Sequence, residues 1–233
     1  MDHDEALSKL SRQLGYTFDN DSLLIEALTH RSVGSHNNER LEFLGDGILN
    51  FVIAEVLFHM HPDMQEGDLS RLRASLVNGE VLADVARELN LGDYIKLGAG
   101  ELKSGGFRRS SILADTVESI LGAVYCDSDF GTCRALILKL FDNKLKNLPD
   151  VDTLKDPKTR LQELLQSRRC SVPSYEVFEV KGQQHAQTFH VECKINEFAC
   201  VTRGEGSSRR KAEQAAAEQA LVQMQKQFSV KEK

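Results

Sequence analysis

Hydrophobic periodicity changes once along the chain, near residue 150, and this change limits the folds that the chain can adopt. Before that point, apolar side chains recur at α-helical spacing in segment after segment, and strand-like alternation is nearly absent. After it, one helical segment is followed by alternating segments and then by a last helical one. We therefore predict an all-α domain over residues 4–146, a linker over 147–154 and a mixed domain over 155–227.

Each predicted domain divides into short elements. In the first, helices are expected over Glu5–Leu14, Asp21–Thr29, Glu39–Phe58, Asp68–Val77, Gly79–Leu89, Ser110–Cys126 and Phe130–Leu145, with glycine-rich joints at 97–100 and 104–106. In the second, Asp156-Pro157 starts a helix, strands follow near 175–180, 189–195 and 198–202, and a helix spans 207–227. The order α-β-β-β-α predicts an antiparallel sheet covered on one face by two helices.

Charge is divided between the two predicted domains. Residues 155–233 hold 14 Lys and Arg against 10 Asp and Glu, for a net charge of +4, whereas the other 154 residues hold 15 basic and 25 acidic residues, for a net charge of −10. Such asymmetry indicates two domains with different roles. No apolar run is long enough for a membrane span and no secretory signal is evident, so we expect no membrane partner. Five scattered cysteines indicate reduced thiols in a cytoplasmic protein.

The segment 39–58 combines an almost continuously apolar sequence with a single polar stripe. On a helix, Glu39, Glu42, Asp46 and Asn50 share an arc of about 80°. Apolar residues fill the remaining positions, so we expect a helix that is buried nearly all round and has one acidic line.

A second helix repeats this pattern. Asp115 and Glu118 are three residues apart and therefore neighbours on one face. Ser111, Ser119 and Gly122 share that face, and their small size predicts room for a ligand beside the two acids.

Clustered carboxylates favour a bound cation, because two of them about 5 Å apart repel by about 3 kcal/mol at an effective dielectric near 20. Hard divalent ions prefer oxygen ligands, and Mg²⁺ is typically held by one or two carboxylates, waters and substrate phosphate. Alternatively, the acids face solvent or pair with Arg40, Arg71 or Arg73. The repetition of the pattern on two helices favours the metal site.

Two basic segments are candidates for phosphate contact. Lys103, Arg108 and Arg109 lie close in sequence to the second acidic pair, either as plain charge balance or as contacts for a phosphodiester. In the second domain, Ser208, Arg209, Arg210 and Lys211 begin the last helix, where cations oppose the helix dipole but suit a phosphate anion.

Other polar residues of the second domain suit a duplex. Gln162 and Gln166, one helical turn apart, and His185 after the first strand are candidate contacts to a shallow minor groove. The chain has no Trp and few other aromatics, which argues against base stacking and single-strand recognition.

Four segments resemble the motifs of the ribonuclease III family. Residues 38–46 (NERLEFLGD) look like its signature motif, and residues 113–118 (LADTVE) resemble its second acidic motif. Residues 156–163 (DPKTRLQE) and 206–213 (GSSRRKAE) are similar to the two ends of a double-stranded-RNA-binding domain. The resemblance covers nearly the whole chain, in the domain order of bacterial members.

This resemblance implies a ribonuclease III fold followed by an RNA-binding domain, and an endoribonuclease that cleaves double-stranded RNA. It implies that Mg²⁺ is held by Glu42, Asp46, Asp115 and Glu118, with Asp46 and Glu118 catalytic and Glu39 a supporting acid. It further implies a homodimer whose signature helices meet at the interface. Its products have 5′-phosphate and 3′-hydroxyl ends with short 3′ overhangs, and its substrates include ribosomal RNA precursors and structured transcripts.

The chemistry expected from these residues is metal-assisted hydrolysis, which needs no Ser, Cys or His nucleophile and tolerates Mn²⁺ in place of Mg²⁺. The alternative is a scaffold that grips duplex RNA without cutting it. All five acids are present, which favours the enzyme. No glycine-rich nucleotide loop follows a predicted strand, so we expect no organic cofactor.

Overall fold

The computed structural model describes residues 3–183 and 186–231, and the chain divides after Pro149 into two compact units. The division falls inside the predicted linker. Within that segment, Val151–Leu154 forms one helical turn, α9, which the lack of periodicity did not predict. The Asp150 side chain starts this turn by accepting a hydrogen bond from the Asp152 N–H. The exact ends of the linker remain a prediction.

The first unit is helical, as predicted. Its helices are α1 (His3–Leu14), α2 (Asp21–Ala27), α3 (Glu39–Met60), α4 (Glu66–Leu76), α5 (Gly79–Glu88), α6 (Ala99–Lys103), α7 (Ser110–Asp127) and α8 (Phe130–Lys146). Side chains of Asn20, Asn78 and Asp129 cap α2, α5 and α8 by accepting backbone N–H bonds. All except α6 match predicted helices to within about two residues. Helix α6 begins inside the predicted glycine-rich joint 97–100, and no helix was predicted for it.

Helix α7 is the centre of the first unit and is buried between α2, α3, α5 and α8. Gly122 allows α3 to approach, since a Cβ added there would lie 2.2 Å from the Leu41 carbonyl oxygen. The Ser119 hydroxyl donates to the carbonyl oxygen of Ala27 at 2.8 Å and joins α7 to α2. The prediction that Ser119 and Gly122 leave room for a ligand is therefore wrong, because both pack against neighbouring helices.

Helix α3 departs from the prediction that it is buried nearly all round. Its inner side is buried in the core, but Phe43, Phe51 and Phe58 are 83%, 58% and 64% exposed. Aromatic side chains are normally buried in a folded chain, so this apolar face is unusual for an unpartnered surface.

The second unit has the predicted α-β-β-β-α order: α10 (Pro157–Ser167), β1 (Ser174–Lys181), β2 (Thr188–Ile195), β3 (Cys200–Gly206) and α11 (Arg209–Lys231). The strands form an antiparallel sheet in the order β1-β2-β3. Leu161 and Leu165 of α10 and a row of alanines on α11 pack on its buried face.

Strand β3 begins and ends later than predicted. Residues 196–198 form a 3₁₀ turn, and Gly204 and Gly206 lie inside the strand rather than after it. Glycine normally weakens a strand, but here it admits the helix, because a Cβ on Gly204 would lie 2.2 Å from the Ala216 nitrogen of α11. Close packing between strand and helix therefore overrides local propensity.

Candidate functional site

Three carboxylates from two helices meet in the first unit. Glu42 of α3 and Asp115 and Glu118 of α7 each offer an oxygen within 4.8 Å of the other two. All three side chains are half-buried. Because α3 packs directly on α7, Glu42 joins two acids that lie 73 and 76 residues further along the sequence. This spacing suits a cation held by several oxygen ligands.

Asp46 lies at the edge of this cluster rather than within it. It is one helical turn beyond Glu42, it is exposed, and its Oδ1 accepts a hydrogen bond from Asn50 Nδ2 at 2.7 Å. Its charge nevertheless acts on Glu118 more strongly than that of any other carboxylate. The structure thus brings three of the four predicted ligands together and places the fourth beside Glu118.

The electrostatics of the cluster favour a positive occupant. Burial, followed by the charges of Asp46, Glu42 and Asp115, raises the pKa of Glu118 to about 8. Burial is also the largest cause that raises the pKa of Glu42 and of Asp115. Neighbouring carboxylates also raise the pKa of Glu42 and of Glu118, whereas the charges of His30 and Arg31 lower that of Asp115. A divalent cation would favour the ionised carboxylates by neutralising their charge.

A cavity of about 240 Å³ opens beside the cluster. Glu42 and Asp115 form its acidic wall, and further lining comes from His30, Arg31, Asn38, Glu39, Glu101, Arg109, Ser111 and Ile112. Acids and potential phosphate contacts therefore share one space, as a site for a metal and a phosphodiester requires.

Ion pairing does not account for the acidic cluster. In residues 3–183 and 186–231, no Lys or Arg forms an ion pair with Glu42, Asp115 or Glu118. Arg71, one of the alternative partners, instead pairs with Asp68 at 2.6 Å. Glu39 does have a partner, Arg31, at 3.4 Å, and both side chains are exposed. The supporting acid is thus paired, whereas the three central acids are not.

The three predicted bases near α7 have different positions. Arg109 lines the cavity and its Nη1 pairs with Glu101 at 2.9 Å. Arg108 instead lies over the Phe107 ring, 5.0 Å from its centroid, and lines a separate cavity. Lys103 is exposed at the end of α6. Only Arg109 is brought to the carboxylate cavity.

Sequence reasoning missed His30 and Arg31, which line the same cavity from the loop between α2 and α3. No periodicity marks this loop. The only signal in the sequence was the polar run His30-Arg31-Ser32 shortly before the acidic helix.

The start of α11 presents the predicted basic surface of the second unit. The Lys211 N–H donates to Ser208 Oγ at 3.3 Å, so this serine begins the helix. Arg209 Nε pairs with the buried Glu213 at 2.8 Å, and Lys158 Nζ binds the same carboxylate at 2.5 Å. Arg210 and Lys211 are exposed. The prediction overlooked Glu213, which offsets part of the charge at the helix start.

The weaker candidates for RNA contact have separate outcomes. Gln162 and Gln166 lie one turn apart on α10, and both side chains are exposed. His185 lies outside the residues that the structure describes.

Comparison with known proteins identifies the family to which both units belong. The family model described as Ribonuclease-III-like matches residues 20–145, and the model of the double-stranded RNA binding motif matches residues 157–224. The chain belongs to the ribonuclease III family. It is 57% identical over 216 residues to "Ribonuclease 3" of Hahella chejuensis, covering 93% of this chain and 96% of that protein. It is 55% identical over 219 residues to "Ribonuclease 3" of Proteus mirabilis, covering 94% and 97%.

Solved structures of the ribonuclease III family include a neighbour of the first unit. The nuclease domain of ribonuclease III from Campylobacter jejuni is 45% identical, with a TM-score of 0.58, and the match covers 60% of this chain and 98% of that one. That structure is described by its flexibility in a region involved in dimer formation. Among the described helices of this family member, none is both long and apolar enough to cross a bilayer.

Proposed function

We propose that this ribonuclease III family member is an endoribonuclease that hydrolyses phosphodiester bonds in double-stranded RNA. The observation that carries the proposal is the convergence of Glu42, Asp115 and Glu118, unpaired with any described Lys or Arg, beside a cavity that Arg109 also lines. Acids without a basic partner, beside a cavity that arginines also line, suit a divalent ion and an incoming phosphate better than they suit a structural role.

The residues present fit Mg²⁺, with Mn²⁺ as a substitute. Closely spaced oxygen ligands whose pKa values are raised by burial are the donor set that a hard cation prefers. Glu42, Asp115 and Glu118 would hold the ion, and Asp46 would join them from the edge. When bound, the ion supplies an activated water and neutralises charge on the phosphate. Glu39, which pairs with Arg31, would add negative charge beside Glu42 and so favour the cation.

Within this mechanism, Asp46 and Glu118 are proposed as the catalytic pair. Both carboxylates would act in their ionised form, which a bound cation favours over the raised pKa that burial and the charge of Asp46 otherwise give Glu118. Arg109 would contact the phosphodiester once it exchanges Glu101 for the substrate. Hydrolysis at the 3′-oxygen side of the phosphate would leave 5′-phosphate and 3′-hydroxyl ends.

A homodimer is proposed as the active form. The exposed side chains of Phe43, Phe51 and Phe58 give α3 an apolar face that a second copy of the chain would cover. Two copies would supply two acidic sites to one duplex and so leave short 3′ overhangs.

The second unit is proposed to hold the duplex through the α11 start and α10. Ser208, Arg209, Arg210 and Lys211 would contact phosphates, and Gln162 and Gln166 would contact the minor groove. Contacts by His185, Lys103 and Arg108 remain predictions from the sequence. The proposed substrates are ribosomal RNA precursors and structured transcripts. The proposed compartment is the cytoplasm, where five free thiols stay reduced.

One experiment separates the nuclease from a scaffold that only binds. Purified wild-type protein and the Glu118→Gln variant are each incubated with a long RNA duplex in Mg²⁺ and, separately, in EDTA. We expect cutting only by wild type in Mg²⁺, with equal duplex binding by both proteins. Cleavage that persists in EDTA would exclude the metal mechanism. Binding without cleavage by wild type in Mg²⁺ would support the scaffold.

A further inference from the structure

His30 is a buried side chain in the wall of the carboxylate cavity to which the proposed mechanism gives no role. It is only 8% exposed, and it lines the cavity together with Arg31, Arg109 and Asp115. A histidine in this position is a donor, an acceptor or a metal ligand, depending on which ring nitrogen is free.

Hydrogen bonds around His30 determine its tautomer. The Ser32 backbone N–H donates to His30 Nδ1 at 3.2 Å, and Ser32 Oγ lies 2.8 Å from the same nitrogen. Since a backbone N–H can only donate, Nδ1 is an acceptor and the ring proton resides on Nε2. Ser32 Oγ accepts a hydrogen bond from the Gly98 N–H at 2.9 Å, which leaves its own proton for Nδ1. The ring is therefore a donor through Nε2.

Backbone contacts with residues 96–98 hold the loop that carries His30. The His30 backbone N–H donates to the Lys96 carbonyl at 3.0 Å, and the Lys96 N–H donates to the Leu28 carbonyl at 2.8 Å. Gly98 lies so close that a Cβ added there would be 2.3 Å from the Ser32 carbonyl oxygen. Such support is typical of a loop that holds a functional group in one orientation.

The Nε2 proton has no acceptor among the described residues. In residues 3–183 and 186–231, no carboxylate lies within ion-pair distance of the His30 ring, although Asp115 lines the same cavity. His30, Arg31 and Arg109 line one cavity together with Glu42 and Asp115, and each of the three offers a donor there. In this tautomer the Nε2 atom of His30 is a donor for an anionic oxygen in the cavity rather than a ligand for a cation.

We propose that His30 donates a hydrogen bond from Nε2 to a non-bridging oxygen of the RNA phosphodiester in the cavity. This inference rests on the proposed nuclease function and adds a substrate-contacting residue to it. A donor held in this orientation would align the phosphate against the carboxylates.

The test compares His30→Asn with His30→Gln. Asn retains an acceptor near the position of Nδ1 but no donor near Nε2, whereas Gln places an amide donor near Nε2. Single-turnover cleavage of a duplex RNA in Mg²⁺ should slow by about 10- to 100-fold in H30N, as expected for removal of a hydrogen bond to a charged group. H30Q should recover most of the rate.

A second measurement separates substrate contact from effects on the metal. Titration calorimetry with Mn²⁺ alone, without RNA, should give the same affinity for wild type and H30N. Circular dichroism melting confirms that both variants are folded. The proposal is overturned if H30N cleaves at the wild-type rate, if H30Q is no faster than H30N, or if H30N loses Mn²⁺ affinity in proportion to its rate. Wild-type protein that does not cut refutes the proposed function itself.

Discussion

Gly45 on α3 lies directly against the backbone of Glu118 on α7, and a Cβ added to this glycine would be 1.8 Å from the Glu118 carbonyl oxygen. No side-chain movement relieves that clash, because both partners are backbone. The glycine next to Asp46 therefore sets how closely the two acidic helices approach. The distance between their carboxylates depends on it.

We predict that Gly45→Ala destabilises the protein and abolishes cleavage. Overpacking of this kind typically costs about 1 to 3 kcal/mol of unfolding free energy. The helices must also separate, which moves Glu42 away from Asp115 and Glu118. Urea denaturation and Mn²⁺ calorimetry measure the two effects.

The control for this prediction lies on another helix. A Cβ on the exposed Gly79, the first residue of α5, would have no heavy atom within 4 Å, so Gly79→Ala tests helix propensity without a clash. It should retain the metal site and gain up to about 1 kcal/mol of stability. Equal metal affinity for G45A and wild type would contradict the role of Gly45.

Stability should depend on pH through Glu118. Burial and the neighbouring carboxylates raise its pKa from an ordinary value of 4.5 to about 8 in the folded chain. A carboxyl with a raised pKa binds its proton more tightly when folded. Its stabilising contribution is therefore complete below about pH 4.5 and declines as pH rises through about 8.

In EDTA, the unfolding free energy of wild type should fall relative to Glu118→Gln between pH 5 and pH 8, because Gln does not titrate. Adding Mg²⁺ should reduce this fall, since the cation favours the ionised carboxylate. Urea titrations across the pH range provide the measurement, with Glu88→Gln, an exposed acid outside the cluster, as the matched control. Parallel pH profiles for wild type and E118Q would contradict the raised pKa.

The helical half of the fold was predictable because its burial follows local periodicity. Elements without periodicity could not be predicted in this way. Helix α6 begins in a glycine-rich segment, and α9 consists of a single turn. Strand β3 was misplaced because Gly204 acts as a breaker in isolation but as a contact point for Ala216 in the fold. Such reversals depend on tertiary packing, which the sequence pattern does not record.

The acidic part of the site was predictable for a similar reason. Glu42 and Glu118 belong to regular helices, so helical spacing alone places each on an acidic face. His30 belongs to an irregular loop, and its place in the cavity depends on the pairing of Thr29 with Lys96. Arg108 was assigned to the site by its closeness in sequence, but its side chain lies over Phe107.

Exposed cations at the start of α11 should govern the salt dependence of duplex binding. Replacing Arg210 or Lys211 by Ala should weaken binding to all duplex sequences. It should also lower the slope of log affinity against log salt by about 0.7 to 0.9 for each phosphate that the variant no longer neutralises.

The control replaces Lys226, an exposed cation near the other end of α11, by Ala, and this change should leave the slope unchanged. Fluorescence anisotropy at several salt concentrations in EDTA provides the data. Identical slopes for R210A, K211A and K226A would exclude this surface.

The apolar face of α3 gives the last prediction. Phe43 is 83% exposed, and a ring of this size in water gains about 2 kcal/mol or more when a partner covers it. Phe43→Asp places an unpaired charge in the same position, so the proposed dimer should dissociate, whereas an unpartnered face would tolerate the change. Sedimentation equilibrium measures the mass in solution. The control replaces Val201, a side chain of the second unit that is 52% exposed, by Asp, and this change should not alter the mass. A wild-type mass equal to that of one chain would contradict the dimer, and an unchanged dimer for F43D would move the interface away from this face.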